Sequence, residues 1–76
     1  MPTVLRQEGY DVMVYTNDHA PAHVHVWKSG GEVIIGLDPI EVVRVEGMKK
    51  REASKAVGIV EAHRDFLLER CREIHG

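Results

Sequence analysis

The sequence predicts an α+β fold: an antiparallel sheet of four to five strands with one long C-terminal helix packed on one face. Residues 1–46 contain short segments in which apolar and polar residues alternate, separated by turn residues, as is typical of antiparallel strands. From about Lys49 the apolar spacing changes to 3.6 residues, which indicates an amphipathic helix. A chain of 76 residues is the size of one domain, so we expect a single domain over 1–76, with the sheet in 1–46 and the helix in 48–75.

The predicted strands follow one another through short turn signals: a glycine, an Asn-Asp pair, a Ser-Gly-Gly run and an Asp-Pro pair. β-Branched residues after the Asp-Pro pair favour a fifth strand, although an irregular connection is the alternative there. The predicted strands cover residues 3–7, 10–16, 23–28, 32–37 and 40–45.

The predicted helix has one apolar side. With Ala53 as the origin and about 100° per residue, the other members of this stripe lie within about 60° of it: Ala56, Val57, Val60, Leu67, Leu68, Cys71 and Ile74. Glu52 offers half of a capping box, whereas Lys49 is a poor N-cap, so we expect a frayed start. We expect the missing side chain of Gly58 to allow a close approach to the sheet.

The orientation of the histidine-rich strand depends on the turn that follows it. A two-residue turn at Gly30-Gly31 pairs Trp27 with Ile34 and leaves His23, His25 and Trp27 on the face away from the helix. A loop one residue longer turns the same side chains toward the helix. We favour the shorter turn, because it gathers five aliphatic residues on one face and avoids burying two imidazoles.

Composition and charge exclude several classes of protein. The net charge of −2 is the sum of −4 in residues 1–48 and +2 in residues 49–76. The basic excess of residues 49–76 is smaller than that of a usual nucleic-acid-binding surface, so RNA binding has little support. The single cysteine, Cys71, excludes an internal disulfide, is expected in the core, and favours a cytoplasmic location. No apolar run is long enough for a membrane span, and the first residues lack a signal-peptide pattern.

Two kinds of binding site are candidates on the histidine strand. An exposed indole of Trp27 beside Ile34, flanked by His23 and His25, would form a patch for a protein partner or a second copy in a homodimer. Alternatively, His23 and His25 lie about 7 Å apart along the strand. With His19 they could bind zinc, although no cofactor is required by the pattern.

Catalytic candidates are His23, His25, His63 and Arg64, because histidine can act as an acid or base and arginine can stabilise phosphoryl charge. No catalytic-triad spacing or phosphate-binding glycine loop supports an enzyme. Arg64 lies inside the apolar stripe of the helix, so its guanidinium must reach water or a carboxylate. We expect it either to tether a loop acid or to border an anion site; the candidate acids are Asp18, Asp38 and Glu41.

Three motifs resemble the bacterial family called domain of unknown function 4160: Pro-Thr-Val-Leu-Arg at residues 2–6, Pro-Ala-His-Val-His-Val at 21–26 and Glu-Ala-His-Arg at 61–64. The resemblance covers essentially the whole chain. It departs at Lys49, where a serine-like cap is frequent in the family, and at Cys71, where a tryptophan is common. The resemblance implies a bacterial protein whose gene lies beside that of a second small protein, in an arrangement similar to a type II toxin–antitoxin pair.

The leading functional hypothesis is therefore an interaction module, half of a toxin–antitoxin-like pair, that binds a small protein partner through His23, His25 and Trp27. One alternative is a metal-independent ribonuclease toxin that uses histidine and Arg64. The other is a metal-binding protein that uses His19, His23 and His25.

Overall fold

A computed structural model describes the backbone of residues 3–14 and 22–75, and the side chains of residues 3–14 and 22–73. In these ranges five strands form one antiparallel sheet in chain order, and two helices follow, which confirms the predicted α+β class. The elements are β1 (Thr3–Gln7), β2 (Tyr10–Met13), β3 (His23–Lys28), β4 (Gly31–Leu37), β5 (Ile40–Glu46), α1 (Lys50–Ala62) and α2 (Arg64–His75).

The β3–β4 hairpin has the predicted faces but a different register. Its two-residue turn is Ser29-Gly30, with φ of 50° and 81°, and Gly31 is already paired with Lys28. Positive φ at both central positions is the type I′ turn, whose twist matches that of the strands. The prediction that Trp27 pairs with Ile34 is therefore wrong by two residues; Trp27 pairs with Glu32.

Gly31 belongs to the strand because the end of β5 passes close to it. The residue is buried, and a Cβ added there would collide with the carbonyl group of Gly47. The predicted turn at Gly30-Gly31 would be equally favourable only if Gly47 did not approach Gly31 in this way. The turn therefore uses Ser29 in a left-handed conformation, at some conformational cost.

The helix-facing side of the sheet forms the core. The predicted aliphatic face of β3 and β4 is fully buried and packs on the helical stripe, whose members Ala53, Ala56, Val60, Leu67 and Cys71 are also buried. The β3 and β4 members of this core are Val24, Val26, Val33, Ile35 and Leu37, and Tyr10 and Val12 of β2 are buried with them. Gly58 is not part of it: the residue is exposed and a Cβ there would meet no atom within 4 Å, so the expected close approach to the sheet is wrong.

The predicted long helix is divided at His63. The amide of His63 donates to the carbonyl of Val60 rather than to that of Ile59, and its φ of −120° departs from helical values. Nδ1 of the imidazole donates to the Ile59 carbonyl at 3.0 Å, in the place that the amide would occupy in a continuous helix. At the start of α1, the Glu52 carboxylate accepts from the amide of Lys49, which is the predicted half of a capping box.

Both edge strands contain an irregularity. The pairing of β1 with β2 shifts between Thr3 and Leu5, and the pairing of β4 with β5 shifts at Ile34 and Ile35, which inserts Val43 as an extra residue in β5. Bulges at sheet edges disrupt the straight ladder that another strand would need for pairing.

Neither helix in the described part of the chain is long and apolar enough to cross a membrane.

Two glycine substitutions should change stability in opposite directions. Gly58→Ala should raise the free energy of unfolding by about 0.5–1 kcal/mol, because alanine is the better helix former and the added methyl group meets no atom. Gly31→Ala should lower it by about 2 kcal/mol or more, because the collision is with backbone. Urea unfolding followed by circular dichroism measures both; equal effects of the two variants would contradict this account of the β3–β4 turn.

Candidate functional site

The sheet face opposite the helices, here called the outer face, contains most of the predicted site residues. Directly paired residues of antiparallel strands share a face. The observed pairs on this face include Arg6–Asp11, Asp11–Trp27, Met13–His25, Trp27–Glu32, Glu32–Glu46, His25–Ile34, His23–Gly36, Ile34–Arg44 and Gly36–Glu41. His23, His25, Trp27 and Ile34 therefore lie together on the face away from the helices.

His25 is buried on the outer face rather than exposed. It is 8% exposed, and its Nδ1 lies 2.8 Å from Oε2 of Glu32, whose side chain is 17% exposed. The ring centroids of His23 and His25 are 5.3 Å apart. A ring nitrogen held by a shielded carboxylate is fixed in orientation, so His25 organises this face instead of offering that nitrogen to a ligand.

The register changes the surroundings of Trp27. Its direct neighbours across the sheet are Asp11 and Glu32, and the indole is half-buried. Ile34 lies opposite His25 instead. Trp27 thus lies between two acids, and Ile34 is its diagonal rather than its direct cross-strand neighbour.

A cleft of about 290 Å³ opens at the β4–β5 end of the outer face, and we call it the acidic cleft. Most of the surface that lines the cleft is apolar, and the lining residues include two carboxyl groups and one imidazole. Those residues are Ala22, His23, Ile34, Gly36, Asp38, Pro39, Glu41 and Val43. Val43, the extra residue of the β5 bulge, is 61% exposed there.

Arg64 connects the helix layer to the acidic cleft. Its Nε donates to the carbonyl of Leu37 at 2.9 Å, and its Nη2 donates to Oδ1 of Asp38 at 3.1 Å. The prediction that Arg64 tethers a loop acid is therefore confirmed, with Asp38 as that acid. Because Asp38 follows β4 directly, this tether positions the β4–β5 turn against the start of α2.

The catalytic candidates are not assembled into one site. His63 belongs to the helix layer, where its Nδ1 is bound to the Ile59 carbonyl, whereas His25 lies on the outer face. Arg64 approaches the cleft of His23 only through Asp38. Its guanidinium donors are directed to protein acceptors, including Asp65 at 3.5 Å.

The predicted zinc site cannot be placed as a whole, because His19 lies outside the described residues. Among the residues that are described, no three histidine, cysteine, aspartate or glutamate side chains are grouped to hold a metal ion. His23 and His25 are neighbours, but Nδ1 of His25 is occupied by Glu32.

Sequence reasoning missed the acidic part of the cleft. From the sequence, the Asp38-Pro39 pair predicts the end of a strand, and Asp38 and Glu41 are candidates only for the tether of Arg64, not for the lining of a cleft. A hairpin closed on Asp38-Pro39 pairs Gly36 with Glu41, and β3 pairs the same glycine with His23. Because Glu41 and His23 both pair with Gly36, which has no side chain, the correct register would have placed these two residues near each other.

The His25–Glu32 pair should contribute measurably to stability. Glu32→Ala removes the acceptor from a buried ring nitrogen and should lower the free energy of unfolding by about 1–3 kcal/mol. The control is Glu46→Ala, which removes an exposed ion pair with Arg44 and should change stability by less than about 0.5 kcal/mol. Denaturant titration measures both, and similar small effects would argue against a structural role for His25.

The Arg64 tether should depend on the shape of the guanidinium group. Arg64→Lys should lower the free energy of unfolding by about 1 kcal/mol, because one ammonium group does not reproduce the fork that binds the Leu37 carbonyl and Asp38 together. Arg72→Lys, in an exposed pair with Glu69, is the matched control and should have little effect. Thermal unfolding provides the comparison; identical transitions for both variants would refute the tether.

Comparison with known proteins identifies the family but no characterised relative. No curated protein and no solved structure matches the chain. The profile of the family described as "Domain of unknown function (DUF4160)" matches residues 9–70, which include β2 to β5, α1 and the first half of α2. Since this match covers most of the 76 residues, the chain belongs to the DUF4160 family.

Proposed function

We propose that this protein is an interaction module that binds a small protein partner through its outer face, with the acidic cleft as the centre of the interface. The observation that carries the proposal is the cleft itself: a mainly apolar depression, with polar groups at its margin, at the β4–β5 end of the outer face. We further propose that the partner is the product of a neighbouring gene, in a pair organised like a toxin–antitoxin module.

The size and lining of the cleft favour a protein side chain as the occupant. Pockets for small-molecule ligands usually measure about 300–1,000 Å³ and enclose most of the ligand. A cleft of about 290 Å³ at the lower limit of that range suits one anchoring side chain from a partner surface. Ile34 and Val43 supply apolar area at its wall, and exposed apolar area with a polar margin is typical of contact sites.

The edges of the sheet support docking on a face rather than strand-to-strand pairing. The bulge at Val43 interrupts β5, and a corresponding irregularity interrupts β1. A homodimer built by extending the sheet would have to accommodate these interruptions. We therefore place the partner over the cleft, where Val43 projects as the most exposed of the large apolar side chains described.

The ribonuclease alternative has less support from the charges at the cleft. A phosphodiester needs positive groups around its transition-state charge. Here the lining residues include Asp38 and Glu41, which would repel phosphate, and the guanidinium of Arg64 is directed to Leu37 and Asp38. The metal alternative depends on His19, outside the described residues.

Co-expression with the product of the adjacent gene tests the proposed interface. Val43→Glu should weaken binding of that protein at least about ten-fold, because a carboxylate replaces the exposed apolar wall of a cleft that already contains two acids. The matched control is Val42→Glu, one residue earlier, at a position that pairs with Ile35 on the helix-facing side.

Affinity should be measured by calorimetry on the purified proteins, with circular dichroism to verify that both variants fold. Unchanged affinity in the folded Val43 variant, or no complex with the unsubstituted protein, would refute the proposed interface.

A further inference from the structure

The acids of the outer face differ in how they are neutralised. Three of them have a side-chain partner: Asp11 with Arg6, Glu32 with His25 and Glu46 with Arg44. Asp38 is paired with Arg64 through Oδ1. Glu41, in contrast, has no ion pair or side-chain hydrogen bond with any residue in the described ranges 3–14 and 22–73. Among the described residues, the acidic cleft is therefore the part of this face where a carboxylate, that of Glu41, has no partner of opposite charge.

The position of Glu41 is defined by Gly36. A Cβ added at Gly36 would lie 3.3 Å from Cγ of Glu41, so the glycine leaves the space in which the stem of Glu41 rests on the sheet. His23 lies on the other side of the same glycine. The carboxylate is thus directed to the cleft from the β5 side, whereas Asp38 approaches from the turn and is held there by Arg64.

We propose that the acidic cleft receives one arginine side chain of the partner protein; this proposal rests on the proposed function and specifies the chemistry of that partner. The aliphatic stem of the arginine packs on Ile34 and Val43, and its guanidinium binds Glu41 and the Asp38 carboxylate. Arginine is the occupant because its positive charge complements the two carboxylates and its aliphatic stem matches the apolar walls of the cleft.

Arginine fits this arrangement better than lysine does. Its planar guanidinium presents five donors, so it can contact two carboxylates in different directions at once. It is also more weakly hydrated than an ammonium group, which lowers the cost of entering a mainly apolar cleft. Arginine is accordingly enriched at interface centres, whereas lysine is depleted.

Methyl-detected NMR with two small probes tests the proposal on the intact chain. N-acetyl-arginine methylamide is titrated while the methyl signals of Ile34 and Val43 are followed, and N-acetyl-citrulline methylamide, which has nearly the same shape but no charge, is the reference. We expect saturable shifts at both methyl positions with the arginine probe and binding at least about five-fold weaker with citrulline. Glu41→Gln should reduce arginine binding to the citrulline level, whereas Glu46→Gln, on the same strand but outside the cleft lining, should not.

Equal shifts from the two probes, no shift from either, or shifts caused by zinc chloride but not by the arginine probe would overturn the arginine assignment. Measurement on the partner complex separates this failure from that of the proposed function. If Val43→Glu abolishes the complex but Glu41→Gln leaves its affinity and salt dependence unchanged, the interface stands and the arginine anchor is wrong. If Val43→Glu has no effect, the interface itself is wrong.

Discussion

The structure depends on the two-residue turn that reverses the chain between β3 and β4. This turn decides which way the alternating side chains of two central strands point. In the observed parity, five fully buried aliphatic side chains face the helices, each contributing about 1.5–3 kcal/mol of apolar burial. A slip of β3 by one residue would replace Val24 and Val26 in the core by His23 and His25. The free energy lost in this exchange is large compared with the total stability of a small domain. The packing of the core therefore determines which side chains lie on the outer face.

The division of the helix layer also serves the outer face. At His63 the imidazole takes the place of the backbone amide at the Ile59 carbonyl, and α2 begins with Arg64. From that position the guanidinium reaches the last residue of β4 and the first residue of the turn. The packing of the helices on one face is therefore coupled to the position of Asp38 at the cleft on the other, through one side chain.

The centre of the outer face buries polar groups, whereas its β4–β5 end exposes an apolar side chain. Near its centre, His25 and Glu32 satisfy each other and are shielded from solvent, a local arrangement that favours one conformation. Toward the β4–β5 end, Val43 is exposed and Glu41 lacks a partner among the described residues. The contrast supports a structural role for the first region and a recognition role for the second.

The sequence by itself determined the order and approximate ends of the strands, the apolar stripe of the helices and the outward direction of the histidines. The first two follow from local turn signals and periodicity, and the third follows from the length of the turn together with the gathering of the aliphatic residues on one face. Tertiary structure decided the register, the break at His63 and the acidic cleft. Turns at Ser29-Gly30 and at Gly30-Gly31 give the same parity, so alternation alone does not distinguish them; the approach of Gly47 to Gly31 does. The cleft likewise requires Arg64 to meet Asp38 and Glu41 to lie across Gly36 from His23, and such contacts between distant segments exist only once the sheet and helices have packed.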